Sequence, residues 1–141
     1  MDQSPLFLTL EQVLAIHDDQ IERYGGSHGV RDLSLLLSAI ARPQATFGGE
    51  DLYPHIFLKA AVLMQGIILN HPFVDGNKRT GVVSAARFLF VNGYQFHTSG
   101  AALIQMALKV EAKTISPEEL VGWLQKNSRK MRRRYLTVNQ T

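Results

Sequence analysis

The run NHPFVDGNKRTG, residues 70–81, sets His71, Asp75, Gly76, Asn77, Lys78 and Arg79 within a few positions of one another. Together these groups suit phosphate chemistry. Gly76 has no side chain to hold an anion away from the backbone, and with Asn77 and Lys78 it falls where the next helix should begin. The first N–H groups of a helix lack partners and its dipole is positive there, so the three residues form a candidate anion cradle. Lys78 and Arg79 add two cations, and a guanidinium can grip phosphate oxygens with two parallel bonds. An imidazole titrates near neutrality, so His71 is a candidate general base, a role worth about 10²–10⁴-fold in rate. Asp75 is a hard oxygen donor beside the cradle, and magnesium is commonly held by one or two carboxylates plus substrate phosphates. Phe73, apolar inside a polar loop, would anchor that loop to the core. Singly, each has a plainer reading, such as a structural histidine or an Asp-Gly-Asn turn. Joining two helices, however, requires no base, acid, glycine and paired cations in one place.

Two apolar segments must position this loop. Residues 55–70 and 79–92 are apolar on nearly every side, the pattern of helices in the middle of a bundle. Gly93 then supplies a C′ residue at which left-handed backbone is cheap. Upstream, Thr9 and Gln12 form a capping box for a helix over residues 10–24, which Gly25, Gly26 and Gly29 end. A second helix over residues 30–41 is stopped by Pro43. The stretch RPQATFGGEDLYP reads as a loop or short exposed flap. Downstream, residues 99–110 form a fifth helix. A sixth covers residues 117–131, with Ser116 as N-cap, Pro117 at N1 and Glu119 at N3. Strand-like alternation is confined to residues 46–47 and 94–97. The expected fold is therefore all-α, a compact bundle of about six helices with a short flap.

The chain has 141 residues, 45% of them apolar and 19% charged, as in an ordinary globular domain. Cysteine is absent, which excludes disulfides and thiolate zinc sites and points to a cytoplasmic location. The N-terminus has no signal-peptide pattern, and no apolar run reaches the roughly 20 residues needed to span a membrane. Five of the 15 basic residues lie between Arg129 and Arg134, so the rest, with 10 basic against 12 acidic residues, carries −2. We divide the chain into a domain over residues 1–128 and a basic tail over 129–141. A basic tip can contact nucleic acid through counterion release. The plainer reading is a solvated helix end with its cations near the carbonyl pole. No GxxxxGK[ST] or HExxH run is present, which removes a P-loop and a zinc protease.

The segment HPFVDGNKR, residues 71–79, resembles the signature of the Fic/Doc superfamily, HxFx(D/E)GN followed by a small residue or lysine and then arginine. Residues 30–33 and 42–54 resemble the upstream part of Doc, the death-on-curing toxins, so the resemblance covers about residues 8–125. AMP-transferring Fic enzymes usually have glycine where Lys78 stands and a second arginine where Val82 stands; both differences point to Doc. The resemblance implies a toxin that transfers the γ-phosphate of ATP to a hydroxyl of a protein, the expected target being elongation factor Tu, so that translation is blocked. It implies His71 as base and Asp75 as the residue that holds Mg2+ or orients the phosphates. Gly76, Asn77 and Lys78 would be the anion cradle, Arg79 a phosphate ligand and Phe73 the buried anchor. The alternatives are AMP transfer to a protein hydroxyl and a non-catalytic module that binds nucleic acid through its tail. The inhibitory motif (S/T)xxxE(G/N) of many Fic proteins has no clean copy, since Asp51 follows where residues 46–50 have its spacing. A separate Phd-like antitoxin, docking as a helix in a groove, is implied instead. Arg31 and Arg87 are left outside the candidate site, and His55 and Trp123 are taken as structural.

Overall fold

A computed structural model of the chain describes residues 4–132. Six helices account for most of it: α1 (Leu10–Tyr24), α2 (Leu33–Ala41), α3 (Ile56–Asn70), α4 (Asn77–Val91), α5 (Gly100–Glu111) and α6 (Pro117–Lys126). A 3-10 turn (Arg42–Gln44) and two short antiparallel ladders complete the regular elements among the described residues. One pairs β1 (Thr46–Phe47) with β2 (Glu50–Asp51), and the other pairs β3 (Tyr94–Phe96) with β4 (Ser128–Lys130). No helix among the described residues is long and apolar enough to cross a membrane.

The core is the α3–α4 hairpin, against which α1, α2, α5 and α6 pack. Every residue of α3 from Lys59 to Ile68 is buried, Lys59 and Gln65 included, as expected of a helix apolar on nearly every side. Fully burying a side chain such as Ile67, Phe88 or Leu89 contributes about 1.5–3 kcal/mol. Two glycines set how closely the central helices approach. A Cβ on Gly81 of α4 would lie 2.8 Å from Cγ1 of Ile68 and 3.2 Å from the carbonyl oxygen of Met64, both on α3. One on Gly66 of α3 would lie 3.0 Å from the Cβ of Ala39 on α2.

Local signals explain the helix ends. Thr9 and Gln12 make the expected capping box on α1, and Ser116 and Glu119 make the one on α6. Gly93 takes a φ of 99° just past α4. Asn92 holds the N-terminal segment to that end of α4, accepting from the Leu6 N–H and donating to the Leu6 carbonyl, each at 2.8 Å.

Two boundaries depart from the expectation. The second helix starts at Leu33, because Asp32 caps it by accepting from the Leu35 N–H at 3.0 Å. Val30 instead forms an antiparallel bridge with Phe73, which ties the glycine loop to the motif. The sixth helix ends at Lys126, where the Asn127 side chain donates to the Trp123 carbonyl at 2.8 Å and turns the chain into β4. Arg129 and Lys130, assigned to a basic tail and a helix end, are therefore strand residues opposite Gln95 and Tyr94. Residues 133–141 of that tail lie outside the described residues.

Candidate active site

The loop joining α3 to α4 is held from three sides. At the end of α3, His71 adopts a left-handed conformation, φ 48° and ψ 53°, which costs a non-glycine residue about 1–3 kcal/mol and persists only where its surroundings enforce it. Arg31 does so. Its Nε donates to the His71 carbonyl at 2.7 Å and its Nη2 to the Asn70 carbonyl at 2.9 Å, capping α3 with a cation where the dipole is negative. The His71 imidazole is left outward, 48% exposed.

The middle of the loop is fixed from below. Phe73 is buried, as expected of an anchor, and lies flat on the ring of the equally buried His17 of α1. The Nε2–H of His17 donates to the Asp75 carbonyl at 2.8 Å. Asn77 closes a ring with Phe73, its Oδ1 accepting from the Phe73 N–H at 2.9 Å and its Nδ2 donating to the Phe73 carbonyl at 3.0 Å. The Asn77 side chain is thus committed to the loop through both its amide oxygen and its amide nitrogen.

The glycine loop after α1 holds the third side. The Val74 N–H donates to the Gly29 carbonyl at 3.0 Å, and the Ser27 N–H to Oδ2 of Asp75 at 3.2 Å. Oδ1 of Asp75 accepts from the Gly76 N–H at 2.8 Å. Close approach demands glycine here: a Cβ on Gly26 would sit 2.7 Å from Oδ2 of Asp75. Gly76 itself has φ 77°, a left-handed value that favours glycine, and begins α4 without a side-chain cap. The first-turn N–H groups of α4 are therefore not used by any capping side chain.

Asp75, Gly76, Asn77, Lys78 and Arg79 line one cavity of about 270 Å³, whose opposite wall is Leu103, Ile104 and Ala107 of α5. The cationic groups border it differently. Arg79 donates from Nη2 to the Gly25 carbonyl at 3.0 Å and lies over the Tyr24 ring, 5.5 Å from its centre. The Lys78 ammonium, 43% exposed, faces Glu111 at the end of α5, 3.3 and 3.4 Å from the two carboxylate oxygens. His71 does not line the cavity. The nearer Glu111 oxygen, Oε2, lies 3.8 Å from Nε2 of His71, so this carboxylate bridges the imidazole and the cradle.

Three contributors have no counterpart in the sequence analysis, His17, Glu111 and the backbone of the glycine loop, and a fourth, Arg31, left outside the candidate site there, supports it through the Asn70 and His71 carbonyls. His17 could have been found, since it shares the buried face of α1 with Val13 and Ile21 at helical spacing. His55, taken as structural, caps α3 by accepting from the Leu58 N–H at Nδ1. The residues with the spacing of an inhibitory motif lie in the exposed β1–β2 hairpin and form no helix. A larger cavity, about 590 Å³, shares no residue with the motif. Its buried Lys59 is matched by Oδ2 of Asp51 at 3.1 Å and the Pro43 carbonyl at 3.3 Å.

Metal-binding capacity is modest. Among the described residues no three His, Asp or Glu side chains converge. Asp75 borders the cavity with one backbone N–H on each oxygen, and a carboxylate offers about four lone-pair sites, so it retains room for a further contact.

Comparison with known proteins gives three matches. Residues 7–89 match the Fic/DOC family. The protein "Toxin Doc" of Mycolicibacterium smegmatis is 53% identical over 72 residues, 51% of this chain and 55% of that protein. The protein "Protein kinase doc" of Escherichia phage P1 is 34% identical over 113 residues, 74% of this chain and 89% of that protein. The chain thus spans about half the length of the first relative and most of the second.

Proposed function

This chain belongs to the Fic/DOC family, and from that membership we propose that it is a Doc-type toxin that transfers the γ-phosphate of ATP to a hydroxyl of a protein. Elongation factor Tu is the acceptor we expect, with arrest of translation as the consequence. One observation carries the reading: an uncapped helix start, two cations and a carboxylate line a single cavity, and an imidazole stands beside it.

Phosphoryl transfer asks a protein for positioning and charge stabilisation more than for covalent chemistry. The donor's phosphates would lie against the N–H groups of α4, with Lys78 and Arg79 meeting their charge. Leu103, Ile104 and Ala107 offer the same ligand an apolar wall. His71 would take the proton of the acceptor hydroxyl while that oxygen bonds to the γ-phosphorus. The bond from phosphorus to the β–γ bridging oxygen breaks, and ADP leaves with the electron pair. Asp75 would hold Mg2+, a fit supported by its spare lone pairs beside the cradle. When bound, that ion would neutralise phosphate charge.

A toxin of this kind requires a restraining partner, and we propose a Phd-like antitoxin that docks as a helix. Exposed Leu33 and Leu37 on α2, and Ile104 and Leu108 on α5, each four residues apart, are apolar pairs that such a helix can cover.

Incubating the chain with elongation factor Tu and ATP labelled at either the γ- or the α-phosphate tests the reaction. Label should pass to the acceptor from the γ position alone. Retention of label only from the α position would replace phosphate transfer with AMP transfer.

A further inference from the structure

Among the described residues, Glu111 is the one acidic side chain that meets both the base and the cradle, and the motif does not contain it. It ends α5, where a carboxylate faces the negative pole of its own helix and gains nothing from the dipole. The placement is offset by Lys78 of the neighbouring α4 and by His71 at the end of α3: Oε2 lies 3.3 Å from the ammonium of Lys78 and 3.8 Å from Nε2 of His71. Glu111 also continues the α5 face that walls the cavity, one turn beyond Ala107.

We propose that Glu111 acts on the phosphate donor through Lys78, as a displaceable competitor for its ammonium. Its carboxylate holds the Lys78 ammonium at the His71 end of the cradle when no nucleotide is bound and gives it up to a donor phosphate. The inference rests on the phosphate-handling reading above and adds to it a defined competitor for the lysine. Two anions are involved, the carboxylate already on Lys78 and a phosphate entering the cavity that Lys78 lines. They repel each other across one ammonium, so donor binding includes the work of separating Lys78 from Glu111. The displaced carboxylate stays beside His71, the group that becomes cationic when it takes the acceptor's proton. A single acidic side chain therefore serves the cation in the resting site and faces the base in the loaded one.

Calorimetric titration of the purified chain with ATP and Mg2+ tests this, using wild type, Glu111→Gln, Lys78→Ala and the double variant. Glutamine keeps the size of the side chain and removes its charge. The Kd for ATP should fall about fivefold in Glu111→Gln, the factor contributed by a partly exposed ion pair at the strong end of its range. In the Lys78→Ala background the same change should shift Kd far less, because no ammonium remains to be contested. A Kd that is unchanged or raised in Glu111→Gln, or an equal fall in both backgrounds, overturns the proposal. ATP bound equally by wild type and Glu111→Gln would remove the role of Glu111 and leave the phosphate-handling reading intact. ATP bound by neither would remove both.

Discussion

His17 lies flat against Phe73, with ring centres 3.8 Å apart and planes 5° apart, while its Nε2–H donates to the carbonyl of Asp75 at 2.8 Å. A carbonyl only accepts, so this bond defines the tautomer of the buried ring. One side chain of α1 thus fixes two loop residues, Phe73 by contact area and Asp75 by its backbone. The candidate site's side chains on either side inherit their positions from it.

Replacing His17 by Phe separates the two effects. The stack survives in kind, while the Asp75 carbonyl loses its partner at a cost of about 1–3 kcal/mol. Urea unfolding should show that loss, and ATP affinity should fall with it, since Asp75 and Gly76 are no longer held from below. Unchanged stability in His17→Phe would mean that water replaces the imidazole and that the ring does not fix the loop.

A second device acts through pH. His28 in the glycine loop bonds Glu22 at 2.8 Å and Asp18 at 3.2 Å, both on α1. The bond to Glu22, and after it the bond to Asp18, raises the His28 pKa above its ordinary 6.5. A raised pKa means that the folded state binds the proton more tightly. The stabilisation is therefore complete below pH 6.5 and fades as the pH climbs through the raised value. The loop concerned supplies the Ser27 N–H to Asp75 and the Gly25 carbonyl to Arg79. Thermal unfolding followed from about pH 6 to 9 should show a downward slope in wild type that is shallower in His28→Gln. Identical slopes would exclude His28 as the source.

The central helices make a packing prediction with a built-in control. Alanine is a better helix former than glycine by about 1 kcal/mol, yet at Gly81 a Cβ meets Ile68 and the backbone of Met64, and overpacking costs about 1–3 kcal/mol. Gly81→Ala should lower stability. At Gly122 on α6 nothing lies within 4 Å of an added Cβ, so Gly122→Ala should raise stability by up to about 1 kcal/mol. Denaturant midpoints of opposite sign are the expected result; a shared sign would contradict the close approach of α3 and α4.

Much of the fold was readable because its signals are local. The Thr9–Gln12 and Ser116–Glu119 boxes, the glycine at position 93 and the mostly apolar stretch from Ala60 to Ile68 each announce their own structure over a few residues. The strand Ser128–Lys130 was not readable, because its polar residues have no alternation and its partner β3 lies far away in the chain. Asp32 is of a type that caps helices, but the apolar pattern begins earlier, at Val30, and hides the cap from a sequence window. The candidate site divides in the same way. Residues 71–79 are contiguous and visible together, whereas His17 is 58 positions from Asp75 and Glu111 is 33 positions from Lys78. Those partners meet only through tertiary packing, which no short window of sequence carries.

The last prediction concerns Arg31, which touches no reacting group in the proposed chemistry and yet holds one in place. Its guanidinium bonds the carbonyls of Asn70 and His71, at the residue where the backbone turns left-handed. Without it, the end of α3 loses its cationic cap and His71 is free to leave φ 48°, swinging the imidazole from its place beside the cavity. The proposed phosphate cradle belongs to α4 and the glycine loop, so it should stay formed. Arg31→Ala is therefore expected to reduce phosphate transfer by up to about 10²-fold, the effect of misplacing a reacting group by about 1 Å. ATP affinity should remain near that of wild type. His71→Ala removes the base outright and should cost about 10²–10⁴-fold, with relief of growth inhibition on expression. Rates of transfer and Kd for ATP measured on the same preparations decide the matter. Equal losses of rate and affinity in Arg31→Ala would show a general loosening of the fold, whereas loss of rate alone identifies Arg31 as the support of the base.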